Sequence, residues 1–62
     1  NELINIFTIY YESGMNICST ARLLYLHRNT LNYKLTKLSN DLDMDVRDNL
    51  IANFIYFLIK II

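Results

Sequence analysis

The chain has 62 residues, of which 53% are hydrophobic, with six basic and six acidic side chains that cancel to a net charge of zero. That length holds a single domain, 1–62, which buries only about 60% of the surface its unfolded chain exposes, and so much apolar surface excludes a disordered chain. The one cysteine, Cys18, excludes an internal disulfide and a Cys-rich metal site, Glu2 and Asn5 break up any signal-peptide core, and the apolar run 50–62 is shorter than the about 20 residues that a membrane span needs.

Four helices and no strand are predicted. The first covers about 2–13, where Leu3, Phe7 and Tyr10 recur at helical spacing with Ile6 and Ile9 beside them. Gly14 is a natural left-handed stop, and Met15 can fold back over the last turn. The second covers about 17–24. Asn16 is placed to cap it, and Ile17, Ala21 and Leu24 share one face. After a short connection, Tyr25-Leu26-His27, the third covers about 28–40. Leu31, Leu35, Leu38 and Leu42 form its apolar stripe; Asn29, Tyr33, Thr36 and Asn40 lie opposite. The fourth covers about 46–61, with Asp45 as its cap and Asp48 in its first turn. Leu50 and Phe54 are expected to face the core. Ile51, Ile55, Leu58 and Ile62 are expected to form an outer patch, which would make this helix the contact with a second copy or with an N-terminal sensing domain.

The segment 16–38 carries the functional signal. Two short helices joined by about three residues pack on one core only if they cross steeply, which requires a small residue at the crossing; Ala21 fits. Leu24, Leu26, Leu31 and Leu35 supply the apolar wedge. This is helix-turn-helix logic, in which the second helix of the pair is presented to a DNA major groove. The zero net charge argues against a nucleic-acid binder. However, Arg22, Arg28, Lys34 and Lys37 lie in a window without an acid, and Asp41, Asp43, Asp45 and Asp48 follow as a separate cluster, so a neutral chain can still present a positive face. Arg28, Asn29, Asn32 and Tyr33 are the candidate base-reading residues, since Arg matches guanine and Asn matches adenine. Asn16, Arg22, Thr30, Lys34 and Lys37 are the candidate phosphate contacts. His27 is better explained by a turn or capping role than by a pH switch. The aspartate cluster lacks the Gly and closing Glu of a calcium loop. No nucleophile is paired with a base, so neither an enzyme nor a cofactor is expected.

The runs Thr20-Ala21-Arg22-Leu23-Leu24, His27-Arg28-Asn29-Thr30-Leu31 and Tyr33-Lys34-Leu35, followed by Leu42-Asp43-Met44-Asp45 and Asp48-Asn49-Leu50, resemble the C-terminal helix-turn-helix of the PucR/CdaR class of bacterial regulators. The Fis-type helix-turn-helix is a more distant likeness. The resemblance covers most of the chain. It implies an all-α, four-helix domain that binds double-stranded DNA in the cytoplasm as the C-terminal output module of a longer transcription regulator. That the chain opens on Asn1 rather than Met fits an excised piece. Two departures stand out. Generic helix-turn-helix motifs prefer Gly where this chain has Tyr25, so a different turn geometry is expected, and Asn32 and Thr36 stand where more basic residues are common in that class. The alternative reading is a protein–protein interaction or dimerisation module built on a degenerate helix-turn-helix, favoured by the neutral charge and the apolar fourth helix.

Overall fold

The computed structural model describes residues 2–62. They form four helices and no strand: α1 Glu2–Glu12, α2 Ile17–Leu24, α3 Arg28–Leu42 and α4 Asn49–Ile61. Helix α3 packs on α1 and α2, while α4 leans on α1. The core between them is Ile6, Phe7, Tyr10, Ala21, Leu31, Leu35, Leu38, Val46, Ala52 and Ile55. Ala21 sits where α2 meets this core, as the crossing requires, and Leu31 and Leu35 are wholly buried beneath α3. Thr20 is also wholly buried; its hydroxyl donates to the Asn16 carbonyl at 2.7 Å, so its burial leaves no polar atom without a partner.

The first three helices all stop in the same way. After α1, Met15 N–H donates to Tyr10 O and Gly14 N–H to Tyr11 O; after α2, Leu26 N–H donates to Ala21 O and Tyr25 N–H to Arg22 O; after α3, Met44 N–H donates to Ser39 O and Asp43 N–H to Asn40 O. Each is the paired six-to-one and five-to-two bonding that satisfies a helix's last carbonyls. The pivot residue is left-handed each time, with φ of 80° at Gly14, 56° at Tyr25 and 55° at Asp43. The residue after it is apolar and half-buried each time: Met15, Leu26 and Met44. The turn between α2 and α3 therefore keeps the left-handed geometry with a tyrosine in it, contrary to the alternative geometry expected from the missing glycine. Helix α3 also runs two residues beyond the expected stop at 40, because Asp43 provides the left-handed pivot.

Helix α4 departs from expectation twice. It starts at Asn49 rather than at 46, and Asp48 caps it, accepting from Leu50 N–H at 3.0 Å and Ile51 N–H at 3.2 Å. Asp45 instead organises a turn: its carboxylate accepts from Arg47 N–H and its carbonyl from Asp48 N–H. The reason lies in the side chains between them. Val46 is wholly buried in the core, and Arg47 reaches back to α3, a divergence that a continuous helix from 46 would not allow. The second departure follows from this start. Ala52 and Ile55 face the core, with Ile51, Tyr56 and Ile59 half-buried against it. Leu50 is 83% exposed and Phe54 54% exposed, so these two do not face the core, and neither Ile55 nor Ile51 belongs to an outer patch.

Candidate nucleic-acid interface

The face of α3 opposite its leucines is open. Arg28, Asn29, Thr30, Tyr33, Thr36, Lys37 and Asn40 are all exposed along it, and the Tyr33 ring is 68% exposed rather than laid on a neighbour. The helix start is fixed by His27, whose Nδ1 accepts from Asn29 N–H at 3.1 Å. That geometry requires an unprotonated Nδ1 and makes His27 the cap. Arg28 and Asn29 therefore leave a held first turn rather than a frayed end. The Arg28 guanidinium also lies 3.8 Å from Cys18 Sγ, which connects the start of α3 to the first turn of α2. At that turn Asn16 caps α2, its side-chain oxygen accepting from Ser19 N–H at 2.9 Å. The positive end of the α2 dipole and the Arg28 cation are thus neighbours, an arrangement suited to an anion such as a phosphate.

The expected phosphate contacts divide into two groups. Arg22, in the last turn of α2, and Thr30 are exposed. Lys37 is exposed and only loosely engaged by Asp41 at 3.9 Å, one turn on. Lys34 is different: it is half-buried on the flank facing α1 and paired with Glu2 at 3.1 Å, so its cation stitches α3 to the start of α1. Among the base-reading candidates, Asn32 is half-buried, whereas Arg28, Asn29 and Tyr33 are exposed.

Asn32 leads to a residue that the sequence reading passed over. Arg47 Nη2 donates to Asn32 O at 2.9 Å, to Thr36 Oγ1 at 3.1 Å and, more weakly, to Asn32 Oδ1 at 3.4 Å. A guanidinium from the α3–α4 connection thus lies against Asn32 and Thr36, the two uncharged positions where the resemblance leads to basic residues being expected. Its signal in the sequence is slight: one arginine standing between Asp45 and Asp48, in a segment whose aspartates dominate it. Those aspartates have structural work of their own, Asp43 as a pivot, Asp45 in a turn and Asp48 as a cap. No group of acidic, His or Cys side chains among the described residues could hold a metal ion.

The model of the PucR C-terminal helix-turn-helix domain family matches residues 3–52. That span takes in nearly all of α1, the whole of α2 and α3 and the first residues of α4. Comparison with curated proteins and with solved structures gave no match.

Proposed function

The chain belongs to the PucR C-terminal helix-turn-helix family, and from that premise we propose that it binds double-stranded DNA sequence-specifically as the output domain of a bacterial transcription regulator, with α3 in the major groove. The observation that carries this reading is the open polar face of α3, held at its start by the His27 cap and free of acids from Arg28 to Asn40. Arg28, Asn29 and Tyr33 meet base edges in this arrangement, with Asn32 at the margin. Asn16, Arg22, Thr30 and Lys37 hold phosphates on either side, and Lys34 joins them only by leaving Glu2. Arg47 adds a cation that α3 lacks. The family is a regulatory one and not an enzyme family. No described helix is long and apolar enough to cross a membrane, and the place of action that goes with the reading is the cytoplasm.

The test is a titration of the chain with a pool of duplex fragments at low salt, followed by the selected sequence. Arg28→Ala is expected to weaken binding by about 1–3 kcal/mol with little change in thermal stability, because Arg28 is exposed. Leu31→Ala is expected to destabilise the fold by roughly 2–5 kcal/mol. Raising the salt should weaken binding steeply, and removing Arg22 or Lys37 should lower the slope by about one per subunit. Full binding by Arg28→Ala would remove the recognition role. A chain that shifts no duplex at low salt would favour the protein–protein module, a reading that the exposed apolar side chains of α4 support.

A further inference from the structure

Once α4 is oriented by Ala52 and Ile55 in the core, its outward side is a stripe of Leu50, Phe54, Phe57 and Ile61, with Leu58 beside it. Their spacing of four, three and four residues is that of the apolar seam in paired helices, with a repeat of 3.5 residues. Exposure runs from 40% at Leu58 to 83% at Leu50. At about 180–200 Å² for a fully exposed side chain of this size, the stripe leaves on the order of 600 Å² of apolar surface in water, the upper end of what a monomer carries. With Ile62, which is fully exposed, it approaches the about 800 Å² that each partner gives to a standard interface.

The charges around the stripe have been turned away from it. Lys60 pairs with Glu12 of α1 at 3.5 Å, and Tyr56 donates its hydroxyl to the same carboxylate. Asn53 accepts from the Tyr11 hydroxyl at 2.8 Å. The seam is therefore uncharged, and Asn53, Tyr56 and Lys60 are already engaged on the α1 side. A charged partner finds no complement here, whereas an identical seam meets it without repulsion and with matching size. Most of the stripe, from Phe54 onward, lies outside the span 3–52 that the family model matches.

We propose that the outer face of α4 is a self-association surface, on which a second copy of this chain seats its own α4 about a two-fold axis. Residues of the seam then meet their counterparts across one continuous patch, as a two-fold interface requires. Among the described helices, α4 packs on α1 alone, whereas α3 packs on α1 and α2, so the seam belongs to a helix that does not pack on α3. Two bodies of 28 × 21 × 21 Å joined in this way are large enough to span the about 34 Å between successive major-groove turns. The surface itself does not depend on the DNA-binding reading.

Sedimentation equilibrium of the 62-residue chain tests this without any DNA. The wild type should show twice the 7.4 kDa of one chain. Leu50→Glu combined with Phe57→Glu should sediment as a single chain with unchanged helical circular dichroism, since both side chains are already in solvent. Phe57→Leu, which keeps the seam apolar, should still pair. A wild type that stays monomeric at millimolar concentration overturns the proposal and leaves the face to an unlike partner. A double variant that still pairs also overturns it, because the contact then lies elsewhere. If the double variant is monomeric, its affinity for a two-site duplex should fall at least tenfold while its affinity for a single site is unchanged; loss of both in the wild type would instead count against DNA binding and leave the pairing intact.

Discussion

Tyr25 occupies the left-handed region at φ 56° with its side chain 95% exposed, so nothing in the fold compensates for placing a Cβ there. Such a conformation costs a non-glycine residue roughly 1–2 kcal/mol, and glycine gives back about 0.5–1 kcal/mol of that in chain entropy. Tyr25→Gly is therefore expected to stabilise the chain by up to about 1 kcal/mol, read as a higher midpoint in thermal melts; a lower midpoint would show that the ring contributes a contact of its own. The tyrosine also shows what could and could not be read from residue types alone. Gly14 announced its turn, and so did Met15 folding over it. Tyr25 and Asp43 serve as the same kind of pivot without carrying that signature, because the paired backbone bonds of the stop set the conformation whichever residue stands at the pivot. Residue type alone identified caps where one polar side chain stood before a helix, as at Asn16. It misplaced the cap where two aspartates, Asp45 and Asp48, stood three residues apart and only the burial of Val46 decided between them.

The elements themselves were legible because each has one dominant stripe. The leucines of α3 stand out against a polar far side, and the packing of α2 on α3 follows from the shortness of their link. Helix α4 was legible as a helix but not in its rotation: apolar residues surround it almost completely, so periodicity could not say which side the rest of the chain would cover. That rotation was settled by its partner, α1, and by the turn 45–48. Arg47 belongs to this scale, since it ties the α3–α4 connection to the middle of α3. Replacing it with Ala removes three contacts from one charged, half-buried group. Given about 1.5–3 kcal/mol for hydrogen bonds to charged groups and the partial exposure, a loss of about 1–2 kcal/mol is expected in urea unfolding. Amide exchange should rise in 43–48 before it rises in α1. An unchanged unfolding midpoint would mean that Arg47 is held only loosely.

For the whole molecule, the attachment of α4 to α1 is the joint most exposed to solution conditions. Tyr11 stacks on Tyr56 at 4.4 Å between ring centres, and Glu12 receives both Tyr56 and Lys60. The hydrogen bond from Tyr56, aided by Lys60, holds the Glu12 carboxyl below its ordinary value of 4.5, and the same bond lifts the Tyr56 phenol above 10.0. A carboxyl with a lowered folded value stabilises the fold above its unfolded value and stops doing so as pH falls through the folded one; the phenol, being raised, loses its contribution as pH rises through its folded value. Tyr56→Phe is therefore expected to be less stable than the wild type at pH 7, with the gap closing below about pH 4.5. A gap that is the same at pH 3 and pH 7 would show that ring stacking alone accounts for it. The three matching helix stops have a further consequence, in time rather than in energy. Each is made by residues within six positions of one another, so the chain can reverse direction three times before any distant segment is found. What remains of the conformational search is the docking of preformed corners, and chains dominated by such local contacts fold in roughly microseconds to milliseconds, leaving the apolar seam of α4 bare as a last, concentration-dependent step rather than as part of the search.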